Sequence, residues 1–120
     1  MNSTFATRLA AVFGFLAVAL GAFGAHGLKT TLEQNGTAAI WQTGALYHLV
    51  HAVVLLVLAQ REAPPRMAII LMAAGITVFS GSLYVLAVTN LKWLGAITPF
   101  GGLCLLAGWI SLAWRPLARR

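Results

Sequence analysis

The run Leu9 to Leu28, LAAVFGFLAVALGAFGAHGL, contains no charged side chain and is closed by Arg8 on one side and Lys29 on the other. A helix rises 1.5 Å per residue, so about 20 apolar residues cross the hydrocarbon core of a bilayer. Three further charge-free runs follow, Gln34 to Gln60, Met67 to Leu91 and Trp93 to Trp114, each long enough to cross. All eight basic and two acidic side chains fall between or outside these runs. The pattern predicts an all-α, four-helix transmembrane bundle with short loops, one domain over residues 1–120 with spans near 9–28, 38–60, 67–90 and 93–114.

Composition excludes the soluble alternative. With 60% hydrophobic and 8% charged residues, a water-soluble fold of this size lacks the polar surface to cover itself. The net charge of +6 does not indicate nucleic acid either, because the basic residues flank spans instead of gathering on one face. Arg8, Arg61, Arg66, Arg115, Arg119 and Arg120 fall on one side of an even-spanned chain, and Lys29 and Lys92 on the other. The positive-inside rule then places both termini in the cytoplasm, or in the matrix for a mitochondrial chain, with the basic rim against anionic lipid head groups. Ala22-Phe23-Gly24 resembles a signal-cleavage site, but the apolar run before it is long for a signal, and cleavage would leave three spans with termini on opposite sides. Cys104 is the single cysteine and lies within the fourth run, so no intrachain disulfide can form.

The connections carry readable turn chemistry. Leu28, Leu32 and Glu33 before Asn35-Gly36 predict a short interfacial helical turn ended by that pair. Thr37 is positioned to cap the second span, and Trp41 one turn later suits the interface. Pro64-Pro65 separates the second and third spans. Only Asn90 to Trp93 joins the third and fourth, which must form an antiparallel hairpin anchored by Lys92 and Trp93. Pro99 stands four residues after Gly95, whose missing side chain relieves the crowding, and a kinked continuous fourth helix is expected. A fresh helix start at Thr98-Pro99 would leave only about 24 Å before Arg115.

Helices in lipid associate where small residues let backbones approach. Gly14, Ala17, Gly21 and Ala25, with Gly24 beside them, mark span one. Ala73, Thr77 and Gly81 mark span three, and Gly95, Gly101, Gly102 and Gly108 mark span four. Packing is the expected role of these glycines.

Counting inward from the outer interface at 1.5 Å per residue orders the polar side chains by depth. His26 lies roughly 4 Å in, Thr98 and Tyr84 roughly 8 to 10 Å, Tyr47, His48 and Ser82 roughly 12 to 14 Å, and His51, Ser80 and Cys104 roughly 17 Å. Most of the polar inventory occupies the outer half, and the cytoplasmic half is almost purely Leu, Val, Ile and Ala. His26, Tyr47, His48, His51, Ser80, Ser82, Tyr84 and Thr98 form the candidate cluster. His48 and His51, at i and i+3, share a helix face on which they could chelate a metal or move protons. The bland alternative is neutral imidazoles hydrogen-bonded across a helix interface to Ser80, Ser82 or Tyr84.

A metal centre needs a third and usually a fourth ligand. Cys104 is at the right depth and His26 is not. Haem would need His26 as the facing axial ligand, against the same mismatch. Proton-coupled transport usually uses an intramembrane carboxylate, yet Glu33 and Glu62 both lie in connections. No nucleophile and base pairing, phosphate loop or carboxylate pair can be assembled. No cofactor and no enzymatic activity are therefore expected. An apolar cytoplasmic half also argues against a pore within one protomer.

Gly21-Ala22-Phe23-Gly24-Ala25-His26-Gly27-Leu28, then Trp41, Thr43 and Tyr47-His48-Leu49-Val50-His51-Ala52, resemble the YgdD-like family of small membrane proteins. The likeness continues through Phe79-Ser80-Gly81-Ser82-Leu83-Tyr84, Leu94-Gly95-Ala96-Ile97-Thr98-Pro99-Phe100-Gly101-Gly102 and Gly108-Trp109. Gly44 stands where the family pattern has alanine, a small-for-small change. The family has bacterial inner-membrane members and a eukaryotic small transmembrane branch, and its domain is of unknown function. The resemblance implies a multi-pass protein of the bacterial inner (plasma) membrane and supplies no substrate or catalytic residue. The expected function is a non-enzymatic packing, assembly or accessory component. Its partners would be the lipid bilayer and a second copy or another membrane protein, met through glycine faces. The alternative is a small ligand, metal or proton site in the outer half formed by His26, Tyr47, His48 and His51.

Overall fold

The computed structural model describes residues 1–114; the basic residues Arg115, Arg119 and Arg120 lie outside the described residues. The chain forms α1 (Ser3–Ala25), α2 (Lys29–Asn35), α3 (Ala38–Ala59), α4 (Arg66–Thr89), a 3-10 segment (Lys92–Ala96) and α5 (Thr98–Ala113). No strand occurs among the described residues. α1, α3, α4 and the unit formed by the 3-10 segment with α5 are each long and apolar enough to cross a membrane.

Helix ends follow from local chemistry. The Asn2 side chain accepts the Phe5 N–H at 2.7 Å and starts α1, satisfying one of the first-turn donors that a helix leaves open. Gly36 ends α2 with φ +66°, where a side chain would be strained. Asn90 ends α4 with φ +59°, the left-handed conformation that asparagine tolerates best after glycine.

Two local expectations are corrected. Thr37 precedes α3 but makes no side-chain cap; its hydroxyl donates to the Ala87 carbonyl of α4 at 2.6 Å. Asn35 Nδ2 joins it, donating to the Ala87 and Val88 carbonyls, each at 3.1 Å. These carbonyls belong to the last turn of α4 and have no intrahelical partner, so side chains from the α2–α3 corner satisfy them. The fourth span is broken, not a kinked continuous helix. It runs as the 3-10 segment and restarts at Thr98 with proline in the first turn, where a missing N–H costs no hydrogen bond. Length is no obstacle to that restart: the five 3-10 residues add about 10 Å to the roughly 24 Å of α5.

Each spanning helix packs on the next, α1 on α3, α3 on α4 and α4 on α5, with no comparable interface between α1 and α5. α3 and α4 form the middle, with 39% and 44% of their apolar windows buried against 17% for each flanking span. The faces of α1 and α5 turned away from this pair display Phe15, Val18, Phe100 and Leu103 to the lipid.

Small residues set the close contacts. α5 lies along α4 with Gly101 against the Phe79 backbone, Leu105 seated over Gly75, and Gly108 against Met72. A Cβ on Gly75 would come within 2.7 Å of Leu105, and one on Gly108 within 2.8 Å of Met72. On α1 the buried ridge is Ala6, Ala10, Ala17 and Gly24, a spacing that keeps one face on a neighbouring helix over the whole span. Gly24 carries the Trp41 indole, which donates to the Leu20 carbonyl at 3.1 Å.

Toward the end of the bundle that carries the N-terminus these contacts merge into one apolar cluster of Ala6, Ala10, Leu55, Leu58, Ala59, Ala68, Ile69, Met72, Ile76 and Leu105. A smaller cluster at the other end joins Leu32, Trp41 and Ala87.

Candidate functional site

The segment Tyr47 to His51 lies at the middle of α3, and its two histidines are buried, with 3% and 6% of their surfaces exposed. They serve different helices. His51 Nδ1 lies 2.7 Å from the Tyr47 carbonyl, which can only accept, so Nδ1 bears the hydrogen. Its Nε2 then offers a lone pair, and the Trp109 indole of α5 donates to it at 3.1 Å. Both ring nitrogens are thereby used, and the ring is a neutral, fixed link between α3 and α5.

His48 faces α4 and α1. Its Nδ1 is 2.9 Å from the Tyr84 hydroxyl, and the edge of the Phe13 ring meets it with centroids 6.2 Å apart. Its Nε2 is buried and has no hydrogen-bond partner. The Phe13 backbone approaches the ring from α1 without completing a hydrogen bond to that nitrogen. Whichever way the Tyr84 hydrogen points, one nitrogen of His48 is left with an unused donor or lone pair, a state that costs free energy in a dry interior.

The remaining cluster members bridge helices in pairs. Ser80 donates to the Gly44 carbonyl of α3 at 2.7 Å. Ser82 lies 2.9 Å from the Phe79 carbonyl and 2.7 Å from the Thr98 hydroxyl, which itself lies 3.4 Å from the Leu94 carbonyl, so either hydroxyl can donate to the other. That bond ties α4 to the first turn of α5 and fixes where α5 restarts. The Tyr47 ring packs on Phe79 with centroids 4.8 Å apart, and Tyr84 packs on Trp41 at 4.6 Å.

His26 does not join this group. It is exposed in the turn after α1, one span-half away from its proposed companions. Cys104 is free and half-buried on α5. Among the described residues no three of His, Cys, Asp and Glu converge as a set of metal donors. Of the expected packing glycines, Gly24, Gly101 and Gly108 lie in helix contacts. Gly95 and Gly102 have only ordinary neighbours at 3.7 Å, and a Cβ on Gly14, Gly21 or Gly81 would meet nothing within 4 Å. Ala25 is exposed at the end of α1.

Sequence reasoning missed Trp109 as a partner of His51, although its placement gave a signal. Tryptophan prefers the membrane interface, and Trp109 lies six residues inside Arg115, deep enough that its N–H needs a protein acceptor. Gly44 and Gly75 were also missed; each faces a side chain of a neighbouring helix.

The fold and this hydrogen-bonded layer define a small, four-span integral membrane protein whose intramembrane polar groups face one another. Over residues 20–102 the chain matches the model of a protein family of unknown function, DUF423. It is 44% identical over 110 residues to the UPF0382 membrane protein YwdK of Bacillus subtilis, covering 87% of this chain and 89% of that one. It is 42% identical over 118 residues to the UPF0382 inner membrane protein YgdD of Escherichia coli K12, covering 91% and 86%. A Staphylococcus aureus UPF0382 membrane protein is 38% identical over 108 residues, covering 87% and 88%. No solved structure matches the chain. The chain belongs to the DUF423 (UPF0382) family of membrane proteins, and is a multi-pass protein of the bacterial inner membrane.

Proposed function

We propose that this protein is a non-enzymatic packing or accessory component of the inner membrane, acting through the surfaces of its spanning helices toward a second copy or another membrane protein. The observation that carries this reading is the use of the intramembrane polar groups. Trp41, Ser80, Tyr84, Thr98 and Trp109 each hydrogen-bond a neighbouring helix, so these side chains hold the bundle together and are not presented to a substrate. His51 has no lone pair left for a ligand. Helices joined in this way give a rigid body with two lipid-facing flanks, α1 and α5, suited to lateral contact.

The test combines folding with partner capture. In the variant carrying His48→Ala and His51→Ala, unfolding in detergent should shift to milder conditions while elemental analysis and the absorption spectrum of gently purified protein stay unchanged. Crosslinking in native membrane should recover a second copy or a membrane protein through α1 or α5. Stoichiometric metal or a haem band that disappears in the double variant would overturn the reading.

One observation supports a second reading, a small ligand or proton site in the outer half: the unpartnered Nε2 of His48. That reading uses His48 with Tyr84 and leaves out His26. It requires that a His48→Phe variant, with the nitrogen removed, fold normally yet lose a bound ligand or a proton-transfer signal.

A further inference from the structure

At the end of the bundle that carries α2, the chain leaves a recess of about 300 Å³ between α1, α2 and α3. Its mouth is bordered by Lys29, Glu33 and Ala25, and it runs inward past Gln42 to a floor that includes Gly21 and Ala45. This end has three charged side chains in its connections, Lys29, Glu33 and Lys92, and two of them border this one recess. Lys29 and Glu33 are separated by four residues on α2 and so stand on the same helix face, about 5–6 Å apart at Cβ. Both are exposed, as is Gln42, a polar side chain one turn into α3.

We infer that this recess binds the head group of an aminophospholipid, a zwitterion bearing a phosphate and a primary ammonium. Lys29 faces the phosphate and Glu33 accepts the ammonium N–H groups, both charge-assisted contacts. The Gln42 amide reaches the ester oxygens below. The volume lies at the low end of small-molecule sites, which fits a head group whose acyl chains remain in the membrane. A path for the first chain segment continues from the floor: Gly14 lies seven residues, two helical turns, below Gly21 on the same face of α1, and a Cβ at either position would meet nothing within 4 Å. Both positions are open beside the ridge that packs on α3, so an acyl chain can lie against α1 there. Glu33 disfavours a purely anionic head group, and an N-trimethylated one has no N–H to give it. The inference stands apart from the packing role proposed above, and holds whichever leaflet this end occupies.

Native mass spectrometry of the full chain, released from nanodiscs containing equal phosphatidylethanolamine, phosphatidylglycerol and phosphatidylcholine, tests it. One phosphatidylethanolamine per chain should be retained preferentially. Glu33→Gln should reduce its retention roughly three- to tenfold, bringing it level with phosphatidylcholine, and Lys29→Gln should weaken retention of all three lipids. Gly21→Leu, which fills the recess from a position with open space around it, should abolish retention while the thermal unfolding midpoint stays unchanged. Equal retention of the three lipids by the unaltered chain, or retention untouched by both Glu33→Gln and Gly21→Leu, would overturn the proposal. So would binding of soluble phosphoethanolamine as tight as that of the lipid.

Discussion

Toward the end of the bundle that carries α2, each pair of spanning helices that packs directly shares a side-chain hydrogen bond, Trp41 to Leu20, Ser80 to Gly44 and Ser82 with Thr98, and deeper in Trp109 reaches across from α5 to His51 of α3. Around Ala10, Leu58 and Met72 the same helices meet through apolar atoms alone, until Gln60 reaches Thr7 at the far rim at 3.1 Å. The difference follows from the solvent. In water the apolar cluster would supply most of the folding energy, but lipid tails are as apolar as Leu58, so only shape and dispersion favour its packing. The hydrogen-bonded half specifies which helix lies beside which. The apolar half then has to fit.

The largest effect expected concerns which of the two halves faces out. A reporter active only in the periplasm should be silent when fused to the C-terminus and active when inserted in the Asn90 to Trp93 turn. The opposite result would turn the polar layer toward the cytoplasm and reverse the charge argument of six basic residues against two.

Next in size is a clash where the hydrogen-bonded half also demands shape. Gly101→Ala places a methyl group on the Phe79 backbone, which cannot yield as a flexible side chain could. Detergent unfolding should show a loss of about 3 kcal/mol, the upper end for overpacking. A loss below about 1 kcal/mol would mean that α5 can slide on α4.

His51→Phe comes third. It removes the acceptor from Trp109 and leaves the indole N–H in hydrocarbon, at an expected cost of about 1.5 kcal/mol in the same titration. Trp109→Phe and the double variant complete a cycle that isolates the link between α3 and α5. If the two losses simply add, that hydrogen bond is not what joins the helices.

Thr37→Val should cost about 1 kcal/mol, because the Ala87 carbonyl keeps a second donor in Asn35 at 3.1 Å. Adding Asn35→Ala should more than double the loss, since the carbonyl is then left without a partner. Equal and independent losses would mean that the two donors do not share this acceptor.

How far the chain could be read depended on whether a residue type has one use or two. Charge has one use in a membrane, to stay out, so the charged residues separate the four apolar runs, although α1 begins at Ser3 and carries Arg8 in its second turn. Gly36 and Asn90 ended α2 and α4 where their conformational tolerance predicts. Thr37 has two uses, capping its own helix or donating to another, and the open carbonyls of α4 decided between them only in three dimensions. Pro99 likewise suits a kink or a first turn, and the Thr98 to Ser82 bond selected the turn. Glycine was the least legible: α1 carries the stripe of Gly14 and Gly21 beside the ridge of Ala10, Ala17 and Gly24, and spacing alone does not say which one meets α3. The candidate cluster was legible as a layer, because depth follows from counting. Its pairing was not, because His48 and His51 share a face in sequence and part company toward Tyr84 and Trp109.

The smallest effect expected is the one that bears most on what lies outside the chain. Gly81 sits between Ser80 and Ser82, both of which hydrogen-bond a neighbouring helix, yet a Cβ at Gly81 would meet nothing within 4 Å. Within one protomer Gly81→Ala should therefore change stability by less than about 0.5 kcal/mol, as at an exposed position. The hydrogen-bonded half would then treat Gly81 as the apolar half treats a lipid-facing residue. The same variant should be compared in dilute detergent and in native membrane with a crosslinker present. A stable monomer that loses a crosslinked partner would assign the Gly81 face of α4 to intermolecular contact, since a methyl group harmless inside the chain can obstruct a helix approaching from outside. A destabilised monomer would instead require that α4 rotate in the bundle and bring Gly81 against another helix.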